Sequence, residues 1–68
     1  MTLQEAVRMA QADKDVWIRP VGVIGYAYIV RNNQLLIVPS KKGGEVVELR
    51  ASEILSDWEI TSADEVLK

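Results

Sequence analysis

Apolar and polar positions follow different rhythms in different parts of this chain. Leu3, Ala6, Val7 and Ala10 recur at helical spacing, with Gln4 and Arg8 off the stripe, which predicts a short amphipathic helix over residues 3–12. Thr2 and Glu5 stand at the spacing of a capping box, which satisfies backbone N–H groups at a helix start. Asp13-Lys14-Asp15 is the polar exit. Val16-Trp17-Ile18-Arg19 reads as a first strand stopped by Pro20, because proline brings no N–H to a ladder. Val21-Gly22-Val23-Ile24-Gly25 fits a bend, a bulge or a close approach of another backbone. Tyr26–Arg31 is a strand whose faces separate into Tyr26, Tyr28 and Val30 against Ala27, Ile29 and Arg31. Asn32-Asn33 tolerates positive φ and predicts a two-residue hairpin turn. Gln34–Val38 returns as its partner and ends at Pro39.

The second half is more broken. Ser40-Lys41-Lys42-Gly43-Gly44 reads as a loop and Glu45–Arg50 as a further strand. Ser52 is placed to cap a short helical turn, with Ile54 and Leu55 as its apolar side and Asp57 at its exit. Trp58-Glu59-Ile60-Thr61 alternates like a half-buried last strand, and Trp58 is the expected anchor of the whole. Ser62 and Glu65 repeat the capping spacing, so Ser62–Lys68 reads as a terminal helical turn that either docks through Val66 and Leu67 or frays. The expected fold is a single α+β domain. It has a small antiparallel, bent β-sheet, an N-terminal amphipathic helix and a short helical turn before the last strand.

Composition sharpens this picture. A chain of 68 residues buries only about 60% of the surface it exposes unfolded, and the usual staples are missing, since it has no Cys and no His. Hydrophobic residues make up 49%, high for this length, which points to apolar surface buried between subunits. A net charge of −2 argues against DNA or RNA as a partner. No apolar run approaches ~18 residues and no charged-then-apolar leader is evident, so the expectation is a cytoplasmic protein away from membranes.

Candidate chemistry is sparse. Without Cys or His, with Ser52, Ser56 and Ser62 lacking a neighbouring base and with Ser40-Lys41 a pair whose adjacent loop side chains usually point apart, the expectation is a protein that is not an enzyme. Glu45 with Glu48, or Asp57 with Glu59, could pair as acid and base, but they read better as solvated positions. Glu53, Asp57 and Glu59 lack calcium-loop spacing, and neither a metal nor a cofactor is implied. Lys41-Lys42-Gly43-Gly44 is the local feature suited to an anion: the glycines free backbone N–H groups and the lysines neutralise charge. Tyr26 and Tyr28 share a strand face and could stack a nucleobase, or serve as core or as a subunit interface. Arg19, Arg31 and Arg50 each end a strand, where a forked contact to phosphate is available although solvent exposure is the default. Trp17 and Trp58 read as core anchors.

An opening helix, a short strand ending in Arg19, a Tyr-rich strand and the segment Glu53-Ile54-Leu55-Ser56-Asp57-Trp58-Glu59-Ile60 together form a familiar pattern. It resembles a family of small phage and prophage proteins, the second type of Thoeris anti-defence protein. That family's ending runs acidic-Ile-Leu-Ala-acidic-Asp-Trp-Glu, which this chain matches with one residue missing. It departs where Pro20-Val21-Gly22 follows Arg19 in place of an early Trp, and where Asp13-Lys14-Asp15 fills the turn after the helix. The resemblance implies a signal sponge, a homo-oligomer that captures a cyclic nucleotide messenger of bacterial immunity between subunits without turnover. The messenger would be a cyclised ADP-ribose derivative or a cyclic oligonucleotide. On that reading Arg19, Tyr26, Tyr28, Lys41 and Lys42 contact the ligand, while Asp57 and Trp58 organise the site or the fold. The competing expectation is a small acidic interaction protein that binds and inhibits a host protein.

Overall fold

In the computed structural model, residues 1–39 and 45–67 are described, and they form three helices and a five-stranded antiparallel sheet. Helix α1 spans Leu3–Ala12 and opens on the capping box, with Glu5 N–H donating to Thr2 Oγ1 at 3.2 Å and Thr2 N–H to Glu5 Oε1 at 3.0 Å. The Thr2 N–H first, and then the Thr2 hydroxyl, which donates to the same Oε1 at 3.1 Å, hold the Glu5 carboxyl below its ordinary value. A carboxyl lowered on folding adds stability above its unfolded value of 4.5 and loses it as pH falls through the folded value. Urea midpoints taken downward from pH 5 should therefore fall more steeply in the native protein than in Glu5→Gln, which has no carboxyl to protonate. Equal slopes would show that the Glu5 carboxyl contributes nothing to the acid response.

The strands are β1 (Trp17–Pro20), β2 (Ala27–Arg31), β3 (Gln34–Val38), β4 (Glu45–Val46) and β5 (Trp58–Thr61), in the order β4-β3-β2-β1-β5. Asn32 and Asn33 sit at φ of 52° and 62°, the left-handed pair that closes the β2–β3 hairpin, and the register Arg31↔Gln34 to Ala27↔Val38 follows. Gly22 and Gly25, at φ of 92° and 94°, carry the β1–β2 connection through conformations that a side chain resists. The segment 21–25 is thus a loop with two left-handed turning points.

Two sequence expectations are corrected. The strand expected over Glu45–Arg50 ends at Val46, with one further ladder bond from Val47 N–H to Leu35 C=O. By the same register Glu48 falls opposite Gln34, the first residue of β3, and Leu49 and Arg50 fall opposite the Asn32-Asn33 turn. The alternation survives only as packing: Val47 and Leu49 lie on the core while Glu48 and Arg50 face outward. The second correction concerns the helical turn. Helix α2 spans Ala51–Ile54 with Arg50, not Ser52, as its N-cap, and Ser52 accepts through its carbonyl from Ser56 Oγ at 2.6 Å.

The core lies on the sheet face covered by α1. Ala6 and Ala10 of the helix meet Ile18, Tyr28, Val30 and Trp58, with Leu3, Val7, Leu35 and Ile37 around them. Small residues on the helix let it sit close to a floor of large ones. The other face holds Ala27, Ile29 and Val38 with Val66 of α3 (Ala63–Val66) docked against them, flanked by Trp17 and Leu36. The terminal turn therefore docks through Val66, while Leu67 stays exposed. Among the described residues no helix is long and apolar enough to cross a membrane.

Candidate functional site

Three segments distant in sequence border an open cavity of about 490 Å³, on the face that carries Tyr26 and Tyr28. One wall comes from the end of β1 and the glycine loop, as Pro20, Val21 and Val23. The floor is aromatic and aliphatic, from Tyr26, Tyr28 and Ile37. The opposite wall is the α2 turn, which contributes Arg50, Ser52, Glu53 and Ser56. The cavity is therefore amphipathic, with an apolar, aromatic side facing a side that carries a guanidinium, a carboxylate and two hydroxyls.

Glu53 ties these parts together. Its Oε2 accepts from Tyr28 Oη–H at 3.0 Å and its Oε1 from Arg50 N–H at 3.2 Å. Its backbone carbonyl accepts from the Trp58 indole Nε1–H at 2.8 Å. A helix of four residues has no stability of its own, so these bonds to the sheet are what position it. Tyr28 lies at the base, edge-on to Tyr26 with ring centroids 5.8 Å apart and 5.5 Å from Trp58. Burial, then the bond to the Glu53 carboxylate, pushes the Tyr28 phenol well above its ordinary 10.0.

The residues singled out in the sequence separate into groups. Tyr26, half-buried, and Tyr28, 4% exposed, both line the cavity, Tyr28 as part of the core as well, whereas Trp58, 1% exposed, is core that supports the site from beneath. Asp57 contributes backbone: its carbonyl accepts from Val21 N–H at 2.9 Å and closes the β1–β5 end of the site. Arg19 is on the other face of the sheet, where its Nε donates to Glu59 Oε2 at 3.0 Å and its Nη2 lies 3.9 Å from Glu65 Oε2. Thr61 Oγ1–H donates to the same Glu65 oxygen at 3.1 Å, so this network pins α3 to the sheet. The strand register that sets Arg19 opposite Glu59 turns it away from the tyrosines. Arg31 likewise does not reach the cavity, and its guanidinium donates to the Val30 and Lys14 carbonyls. Lys41 and Lys42 lie outside the described residues.

Glu53, Arg50, Ser52 and Ser56 join the site although Glu53 stood out only as part of the ending. The sequence signal for Glu53 is its capping spacing from Arg50. Nothing local announces its bond to Tyr28, 25 positions away. Among the described residues no cluster of His, Cys, Asp or Glu could hold a metal ion. Because Arg19 and the cavity occupy opposite faces, Arg19→Met should loosen α3 without changing ligand retention by the cavity. Its effect on stability should be about 1 kcal/mol, as for a partly exposed ion pair. A retention loss at unchanged fold would place Arg19 in the site after all.

These features define a class: a small α+β protein with an open, amphipathic cavity between a glycine loop and a helical turn. No protein-family model matches the chain, and comparison with curated proteins and with solved structures finds no match.

Proposed function

We propose that this protein is a non-catalytic binder that captures a cyclic nucleotide immune signal, as a phage-encoded anti-defence sponge in the host cytoplasm would. The observation that carries the reading is the cavity of about 490 Å³ with an aromatic floor at Tyr26 and a guanidinium at Arg50. That volume lies in the range of small-ligand sites, and an aromatic ring beside a cation is what a base joined to a phosphate requires. Lys41-Lys42 adds positive charge on sequence grounds. A sponge needs no nucleophile or general base.

The cavity is open, and sequestration requires a ligand to be largely enclosed. The chain offers the means beside it. Val21 lines the cavity, Ile24 follows Val23 and is 88% exposed, and Ile54 and Leu55 sit between Glu53 and Ser56, with Leu55 85% exposed. A second copy seated on these residues would hide them and cover the mouth, which is the reason for reading the protein as a homodimer or homotetramer. The same exposed residues favour the second reading, an acidic interaction protein that docks on a host protein.

A capture-and-release assay tests the proposal. The protein is incubated with cyclic ADP-ribose isomers and cyclic di- and trinucleotides, filtered, denatured and chromatographed. A nucleotide depleted from the filtrate and recovered intact supports the sponge, whereas a converted product would make the protein an enzyme. If the protein runs as a monomer and retains nothing, the host-protein reading takes over. Leu55→Glu with Ile24→Glu should halve or quarter the native mass, and Arg50→Ala should weaken retention on the order of ten-fold, as for loss of a charge-assisted contact.

A further inference from the structure

We propose that Glu53 sets the ligand specificity of the cavity. Its carboxylate selects a flat ligand with two adjacent N–H donors on one edge, as in guanine, over one that presents a donor beside an acceptor, as adenine does. This rests on the nucleotide-binding reading above and names the base that the site takes.

The argument is one of valence. An ionised carboxylate offers about four lone-pair sites, two on each oxygen, and donates nothing. Tyr28 Oη–H occupies one site on Oε2 and Arg50 N–H one on Oε1. Among the described residues no further donor reaches either oxygen, so one acceptor position on each is open, a number matched by two parallel N–H donors. The group is held from both sides, by the sheet floor and by the start of α2, and its own backbone is fixed by the Trp58 indole. It reaches the ligand prearranged, so little ordering remains to be done on binding. Among the described residues no Lys or Arg side chain lies within ion-pair distance of Glu53. Guanine N1–H and its exocyclic amine would fill both open positions. Adenine would set its ring N1 lone pair against one carboxylate oxygen. The half-buried Tyr26 ring on the floor gives the base a flat surface, and Arg50 on the same wall as Glu53 is available to the phosphate.

The test is calorimetric titration of the intact protein with 3′,5′-cyclic GMP, cyclic IMP and cyclic AMP at one salt concentration. Cyclic IMP keeps the ring N1–H and lacks the exocyclic amine. The expected order is cyclic GMP, then IMP, then AMP, with roughly a ten- to hundred-fold span from first to last. Glu53→Gln should collapse that span, because the amide offers one acceptor and one donor while still accepting from Tyr28. Equal binding of cyclic GMP and cyclic AMP to the native protein would overturn the role of Glu53 and leave nucleotide capture standing. Binding of none of the three would also overturn it, and the capture panel separately decides whether the sponge reading survives. If Glu53→Gln loses its native circular dichroism, the three-base comparison on the native protein remains decisive.

Discussion

Replacing Trp58 with alanine should leave the chain largely unfolded at 25 °C. The indole is 1% exposed and is the largest fully buried side chain. It packs 5.5 Å from the Tyr28 ring and donates to the Glu53 carbonyl at 2.8 Å. Its backbone exchanges two hydrogen bonds with Met1, at 2.7 and 3.1 Å. Truncating such a residue removes about 3–5 kcal/mol. A chain of 68 residues has a total stability of roughly 3–10 kcal/mol, so the loss approaches the whole. Trp58→Phe should cost less, because the ring volume is mostly kept and what is lost is the N–H to Glu53. Thermal melts followed by circular dichroism check both variants. A Trp58→Ala protein melting within a few degrees of the native one would contradict the anchoring role.

The second large effect separates the two tyrosines. Tyr28→Ala should unfold the protein, since a buried ring truncated to a methyl forfeits a further 3–5 kcal/mol. Tyr26→Ala should fold, because its ring lies half-buried on the cavity floor, and should lose nucleotide retention. If Tyr28→Ala keeps the native spectrum, or Tyr26→Ala loses it, the division into support and site is wrong. Tyr28 also predicts a pH response. Its folded phenol holds the proton more tightly than the unfolded value of 10.0, through burial first and then its bond to Glu53. The stability this confers is complete below pH 10 and is lost as pH rises beyond it. Urea midpoints should therefore drop above pH 10, and the drop should be smaller in Tyr28→Phe, which has no proton to lose.

Much of the fold was legible because the signals are local. The Thr2–Glu5 box and the Leu3-Ala6-Val7-Ala10 stripe define α1 within its own ten residues. Asn32-Asn33 specifies the hairpin through backbone conformations that asparagine tolerates, and the register of β2 with β3 follows from the turn. The expectation that Tyr26, Tyr28 and Val30 share a face needs only the period of a strand, and all three pack on the α1 side.

What stayed hidden depends on partners far away in sequence. β4 pairs with β3 only over Glu45–Val46, with one more ladder bond at Val47, although its own residues alternate through Arg50. Arg19 reads as a free cation until the pairing of β1 with β5 brings Glu59 against it from 40 positions away. Tyr26 and Tyr28 look equivalent until packing puts Trp58 beside Tyr28 and buries it, leaving Tyr26 the more exposed of the two at the cavity. The sequence by itself determined the helix, the hairpin and the faces of the strands, since helical spacing, capping and turn conformation act within a few residues. The tertiary structure alone decided the cavity and the place of Glu53 in it, because hydrogen bonds and burial between distant segments exist only once the sheet has closed.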